Sequence, residues 1–139
     1  MKSLVNISSS EEKARYIDAL AVTAIFLHPD SEEITIFDTQ GVAQSLNMRS
    51  LEIDPAVLLQ RLAVAGNELV SLTLRHEGRE YPHFIAPAAV TFATVTQMTD
   101  EGMHGVIVGV RGASNWELSH GIKPEELAAL LDSVRATGK

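Results

Sequence analysis

The chain has 139 residues, of which 45% are hydrophobic and 5% aromatic, with a net charge of −7 and no cysteine. This composition predicts a folded protein with an aliphatic core, and it excludes disulfides, zinc–thiolate sites and cysteine nucleophiles. The negative charge argues against a nucleic acid as the main partner, because binding to a phosphate backbone needs a basic face. We expect a cytoplasmic protein of bacterial type without a membrane partner, since neither a signal-peptide pattern nor an apolar run of bilayer length occurs.

Three blocks of the first half of the chain recur in the same order in the second half. They are 16–23 with 84–91, 53–58 with 122–127, and 4–7 with 69–72. The blocks predict a tandem duplication with a first repeat at 1–66 and a second repeat at 67–139. Each repeat is too short to bury a thick core alone. We therefore expect a pseudo-twofold arrangement, either as one domain with a shared core or as two close-packed domains.

The first repeat predicts four strands in two hairpins, then a fifth strand and a helix. These are the strands 5–8, 14–17, 21–27, 33–37 and 45–53, joined by turns at 9–13 and 29–31, and a helix from Asp54-Pro55 to about Val64. The strands follow from alternating apolar residues, and the helix from Leu58, Leu59 and Leu62, which form one apolar stripe. A helix over 10–21 stays open as an alternative to strand, because the residues 11–14 favour helix.

The second repeat predicts the same order of elements. Its strands are 69–74 and 79–85 around the turn Glu77-Gly78, then 90–98, 103–111 and 115–118, and its helix starts at Pro124 with the stripe Leu127, Leu130, Leu131 and Val134. Pro82 indicates an edge strand or a bulge, and Gly109 indicates a bulge or a close approach of another part of the backbone. We expect Val90, Phe92 and Thr94 to share one face of their strand.

A set of short motifs in the second repeat matches a known pattern. The matching residues are Gly78 in the hairpin turn, Ile-Ala-Pro-Ala-Ala-Val at 85–90, a second glycine at Gly112, and Glu-Glu-Leu at 125–127. In these residues the repeat resembles the small FlbD-like domains of bacteria, which occur in flagellar and phage-like settings. The resemblance covers half of the chain and implies antiparallel strands ending in a short helix, but no function. Ala86 departs from the usual polar residue, and the duplication is not part of the family's pattern.

Four basic residues lie along the hairpin of the second repeat: Arg75, His76, Arg79 and His83. They are candidate interface residues for an acidic partner or a nucleic acid, beside the interpretation that they are solvated and balanced by neighbouring glutamates. The two histidines with a neighbouring glutamate also suggest a metal site. We predict solvated histidines and no metal there, since no paired metal-binding spacing occurs.

The single tryptophan, Trp116, is the fifth candidate interface residue, with core packing as the alternative. The sequence has no Gly-x-Ser-x-Gly elbow and no glycine-rich phosphate loop followed by lysine. We therefore expect no enzyme and no cofactor.

Together these patterns predict a non-catalytic protein-binding module that acts as an adaptor, regulator or inhibitor through its acidic surface and its edge strands. Two alternatives stay open. One is a nucleic-acid-associated regulator that uses the basic hairpin at 75–83, and the other is a small-molecule pocket or enzyme between the repeats. A protein is the expected partner, and a homodimer is a further option.

Overall fold

The computed structural model describes residues 4–8, 14–28, 32–47, 49, 53–96, 98–113 and 116–137. These residues form ten strands and two helices, and every strand pair is antiparallel. The predicted α+β fold class is therefore confirmed, with a helix at the end of each repeat. In chain order the elements are β1 (Leu4–Asn6), β2 (Tyr16–Asp18), β3 (Val22–Leu27), β4 (Glu33–Asp38), β5 (Ala43–Asn47), α1 (Pro55–Val64), β6 (Val70–His76), β7 (Arg79–Ile85), β8 (Val90–Val95), β9 (His104–Val110), β10 (Trp116–Ile122) and α2 (Pro124–Thr137).

The strands belong to three sheets. Strands β1 and β2 form a ribbon, β10, β9 and β8 form a three-stranded sheet, and β5, β4, β3, β7 and β6 form a five-stranded sheet in that spatial order. The large sheet joins the repeats, because β3 of the first repeat pairs with β7 of the second, with Ile25 opposite Phe84. A complete twofold arrangement would also pair β8 with β2. Among the described residues these two strands lie in different sheets, so the twofold relation is met on one side only.

The segments 16–23 and 84–91 have the same conformation. Each leaves a hairpin strand, makes a 3-10 turn (Ala19–Ala21 or Pro87–Ala89) and enters the next strand. The residue before the turn has φ −77° and ψ 105° in the first repeat and φ −74° and ψ 117° in the second. The strands that follow also share a register shift, which falls at Thr23 and at Thr91. The internal match in the sequence therefore corresponds to two equivalent pieces of structure, while the boundary between 66 and 67 stays a prediction.

Each repeat packs around one buried aliphatic cluster, and neither cluster is confined to its own repeat. Ala24 of the first repeat is fully buried in the second cluster, and Leu69 and Phe84 of the second repeat pack against the first cluster. Because side chains alternate along a strand, β3 directs Ile25 to the first cluster and Ala24 to the second. The two small repeats thus complete each other's cores.

Both helices begin and pack as the sequence predicts. The carboxylate of Asp54 accepts a hydrogen bond from the Ala56 amide at 2.9 Å and so caps the start of α1. The predicted stripes face the cores, and their buried members are Leu58, Leu62, Leu127 and Leu130.

The first repeat differs from its predicted strands mainly at β5. The alternative over 10–21 is resolved as strand and 3-10 turn within the described part, 14–21. The predicted strand at 45–53 lies instead at Ala43–Asn47, because the preceding turn closes early at Gly41, whose φ is 82°. The predicted turns at 9–13 and 29–31 lie outside the described residues.

The second repeat corrects the prediction made from Pro82. Strand β7 lies inside the five-stranded sheet and pairs with β6 without a register shift, so both predicted alternatives, an edge strand and a bulge, are wrong. Proline is tolerated there because the β3–β7 ladder ends at His83, and the missing amide of Pro82 therefore removes no bond to β3. Strand β10 runs beyond the predicted 115–118 to Ile122, since pairing with β9 resumes there after an irregularity.

A bulge moves Phe92 off the face predicted for it. The β8–β9 register shifts between Val90 and Phe92, so Val90 packs against the second cluster while Phe92 is 43% exposed. The common face predicted for these two residues is therefore wrong. The predicted bulge is confirmed in the strand opposite Gly109, where Phe92 pairs with it. The predicted backbone approach is wrong, because the group that a Cβ atom at Gly109 would collide with is the ring of Phe92.

The turn after β9, in the second repeat, packs against the turn after β4, in the first. Gly112 has φ 79°, and a Cβ atom there would overlap the backbone of Asp38 and Thr39, so a substitution at Gly112 tests how much this contact between the repeats stabilises the fold. Gly102 has nearly the same φ, 78°, with open space around it. We expect Gly112→Ala to lower the free energy of unfolding by about 1–3 kcal/mol more than Gly102→Ala, because only the former adds overpacking to the backbone strain. Equal losses in urea unfolding of the two variants would contradict this.

Candidate functional site

Arg75 is held by carboxylates of its own chain. Its Nη1 atom donates to Oε1 of Glu126 at 2.5 Å and to the carbonyl of Thr73 at 2.9 Å, and its Nε atom lies 3.8 Å from Glu80. The guanidinium is half-buried between α2 and the β6–β7 hairpin. Its charge is thus neutralised within the protein.

Glu126 also covers the outer edge of β6. Its Oε2 atom accepts the Thr73 amide at 2.8 Å. Gly121 of β10 lies against the backbone of Arg75, where a Cβ atom would not fit. This end of the five-stranded sheet is therefore closed to further strands by the protein itself.

His83 is buried, which corrects the prediction of a solvated strand histidine. The side chain is 8% exposed, and its ring centroid lies 4.6 Å from that of Phe26 across the β3–β7 ladder. Burial lowers the pKa of His83 to about 4, against the opposing effect of backbone hydrogen bonds to Tyr81 and Leu72. At neutral pH this histidine is therefore uncharged and adds nothing to a basic surface.

The five candidate interface residues do not form one surface among the described residues. His76 is exposed, 3.8 Å from the Glu77 carboxylate, and pairs along the ladder with the exposed Arg79. His83 pairs with Leu72, about 13 Å further along the hairpin at normal strand rise. The backbone of Trp116 pairs with Val108, and its side chain lies outside what the structure describes.

The described part of the chain has no cluster of metal-ligating side chains, and it has a cavity beside α2. No group of three or more His, Asp or Glu residues is placed there to hold a metal ion. A cavity of about 400 Å³ lies between the 66–70 connection and α2, and its only titratable lining residue is Glu68. The side-chain amide of Asn67, on the same wall, is already bonded to the carbonyls of Ala19 and Val22.

The outer edge of β8 is open. Strand β8 pairs with β9 on one side, and no described strand pairs with it on the other. The Thr96 amide donates to the Gly105 carbonyl of β9 at 2.8 Å, so alternation directs the amides of Ala93 and Val95 to the open side. The side chains of Phe92 and Val95 are exposed along this edge.

A second edge that pairs with no described strand lies at β2, where the Arg15 side chain donates to Oε1 of Gln44 at 2.6 Å. The Arg15 carbonyl accepts the Ile7 amide at 2.8 Å, so alternation directs the backbone of Tyr16 away from β1. Leu4 and Tyr16 are 64% and 60% exposed on the outer face of this ribbon, whereas Ile17 packs into the first cluster. A pocket of about 230 Å³ opens beside β2, and Ile17, Val22, Ile36 and Asp38 are among its lining residues.

Sequence reasoning anticipated edge strands as contact surfaces but not which strands they are. The regular alternation of Phe92 with Val90 predicted a common face for the two side chains, and only Gly109 indicated the bulge that separates them. Tyr16 has the same place in its repeat as Phe84, and a local pattern does not distinguish the exposed aromatic residue from the packed one.

Comparison with known proteins adds no relative: no family model matches the chain, and no curated protein matches its sequence. The resemblance of the second repeat to FlbD-like domains stays a prediction. Within the part of the chain that the structure describes, no helix has the length and apolar character needed to cross a membrane.

The closed β6 edge generates a prediction for Glu126. Glu126→Ala removes the acceptor of both the Thr73 amide and the Arg75 guanidinium, so we expect the free energy of unfolding to fall by about 2–3 kcal/mol. Asp132→Ala on the same helix is the control, because its ion pair with Arg135 is exposed and its loss costs less than about 0.5 kcal/mol. Urea unfolding measures both, and equal losses would contradict the structural role of Glu126.

The burial of His83 predicts a loss of stability in mild acid. Its pKa falls from 6.5 to about 4 on folding, so protons bind preferentially to the unfolded chain. The stability present at neutral pH is then lost as the pH falls from about 6.5 towards about 4. We expect the free energy of unfolding to drop by about 2 kcal/mol between pH 7 and pH 5 through this residue. His83→Gln should show a correspondingly shallower dependence in urea unfolding, whereas identical slopes would assign the effect to other groups.

Proposed function

We propose that this protein is a non-catalytic protein-binding module that takes up an extended segment of a partner at the open edge of β8. The observation that carries the proposal is the combination, in one strand, of outward-directed backbone amides at Ala93 and Val95 with the exposed side chain of Phe92. Strand addition of this kind uses main-chain hydrogen bonds for affinity and alternate side chains for specificity.

The two edges of the five-stranded sheet, β6 and β5, are less suited to this role. The β6 edge is closed by Glu126, as described above. The β5 edge exposes the small or polar side chains of Ala43, Ser45 and Asn47. Exposed large apolar side chains mark a site of interaction more strongly than polar ones do, which favours β8.

The two alternative functions have less support from the described residues. A nucleic-acid contact at 75–83 would need free positive charge, but Arg75 is paired with Glu126 and burial lowers the pKa of His83 to about 4. A small-molecule site would need convergent polar groups, whereas the Asn67 amide and the Thr137 hydroxyl in the 400 Å³ cavity already donate to backbone carbonyls. The proposal therefore keeps a protein as the partner and the cytoplasm as the location, with the acidic surface assisting an adaptor, regulator or inhibitor.

A pair of proline substitutions tests the proposal. Ala93→Pro removes an amide that faces the open side of β8, while Ser45→Pro does the same on β5, since the Asp38–Val42 hydrogen bond directs Ser45 outward. We expect both variants to keep the circular dichroism spectrum and cooperative unfolding of the parent. With each tagged chain as bait, polypeptides held by the parent and by Ser45→Pro should be lost from Ala93→Pro. The same retained set with all three baits would contradict binding at β8.

A further inference from the structure

We infer that a second copy of this chain occupies the open edge of β8, and that it pairs there through its own β2 strand. This inference rests on the proposed function, because it names the partner of the same edge. It uses a pairing that the molecule already makes once, between β3 and β7.

The β3–β7 ladder shows how two repeats bind each other. Ile25 lies opposite Phe84, with Ala24 opposite Ile85 on one side of this pair. The ladder continues into the 3-10 turn, where the Ala86 amide donates to the Thr23 carbonyl at 2.9 Å. A strand that follows the turn in one repeat is thus paired with a strand that precedes the turn in the other.

The same two strand types are open at the other ends of the molecule. Strand β8 is the equivalent of β3, and β2 is the equivalent of β7. In each repeat the same 3-10 turn joins the two strands, β2 to β3 and β7 to β8, and the same bulge follows it. The register of the intermolecular ladder follows when 68 is added to each residue number of β3 and subtracted from each residue number of β7. Phe92 then lies opposite Ile17 of the second copy, Ala93 opposite its Tyr16, and Thr94 opposite its Arg15.

The hairpin faces differ between the repeats in the way this pairing requires. Leu69 and Phe84 of the β6–β7 hairpin pack against the cluster of the other repeat. The equivalent residues of the β1–β2 ribbon, Leu4 and Tyr16, are 64% and 60% exposed. The β1–β2 ribbon thus has an apolar face, but no repeat of its own chain covers that face. The second repeat of another copy would cover it when its β8 pairs with β2.

The pocket beside β2 matches the side chain that would arrive there. In the second repeat, Ala24 fills the position next to Ile85 and is fully buried. The equivalent position next to Ile17 is part of the open pocket of about 230 Å³, and the equivalent of Ala24 is the exposed Phe92. The pocket is lined by the apolar Ile17, Val22 and Ile36 and by the polar Asp18, Asp38 and Gln44. Its volume exceeds the roughly 150 Å³ of a cavity that accepts benzene, so it has room for the phenyl ring of a second copy once that ring turns away from Gly109.

Two copies satisfy all of these edges at once. Each copy presents one β8 edge and one β2 edge, and within one molecule these strands lie in different sheets and do not pair among the described residues. Pairing of β8 with β2 of another copy joins two different strands, so it closes a symmetric dimer when the second copy returns the same contact and otherwise adds copies head to tail. We place the second copy so that both contacts form, because that arrangement leaves neither edge open.

Engineered cysteines test the register directly, because the chain has none of its own. Thr94 and Arg15 of the second copy form a non-hydrogen-bonded pair in this register, with Cα atoms about 4.5 Å apart, within the range of a disulfide. A mixture of Thr94→Cys chains with isotope-labelled Arg15→Cys chains should give mixed disulfide dimers on mild oxidation. The control mixture of Thr94→Cys with Ser45→Cys should give only the background of random collisions, and equal yields would overturn the register.

The oligomeric state provides the second readout. In light scattering after size exclusion, the parent and Ser45→Pro should be dimers, while Ala93→Pro and the surface variant Tyr16→Arg should be monomers with parental circular dichroism. A monomeric parent, or an intrachain disulfide in the Thr94→Cys/Arg15→Cys double variant, would overturn the inference. If the parent is monomeric and the Ala93→Pro bait still fails to retain polypeptides that the parent bait retains, the proposed function stands and the dimer inference fails. If Ala93→Pro changes neither readout, both fail.

Discussion

The β3–β7 ladder is the interaction on which the rest of this molecule depends. It is the only described strand pairing between the repeats, and it places β3 between two cores. Because a strand directs successive side chains to opposite faces, Ile25 and Ala24 serve different clusters from adjacent positions. A repeat of this size buries little apolar surface alone, and sharing one strand lets both repeats close their cores.

The features that the sequence predicted well are those set by local patterns. The apolar stripes of the two helices follow the helical period, and Leu58, Leu62, Leu127 and Leu130 are buried as that period requires. The match of 16–23 with 84–91 also depends only on local conformation, and both segments form a strand, a 3-10 turn and a strand. Local pattern also placed most of the strands, with errors of a few residues where a turn closed early.

The features that the sequence did not predict are set by contacts between distant residues. Nothing near His83 indicates that β3 will lie beside it, so its polarity suggested solvent where the fold provides burial against Phe26. Arg75 looked like part of a basic surface because its partner, Glu126, is far away in the chain. Phe92 was misplaced by one extra residue in β8, which reverses the face of every side chain on one side of the bulge.

The open edges follow from the same constraint that stabilises the fold. A repeat that binds a copy of itself through two different strands carries two complementary edges. When two such repeats are joined in one chain, β3 of the first pairs with β7 of the second. The remaining edge of each repeat, β2 in the first and β8 in the second, has no partner strand among the described residues. The chain closes the β6 edge with Glu126 but shows no comparable cover at β8 among the described residues, where Phe92 is exposed instead. An edge left with apolar side chains, in a protein that covers another of its edges, is better explained by a strand that binds there than by exposure to solvent.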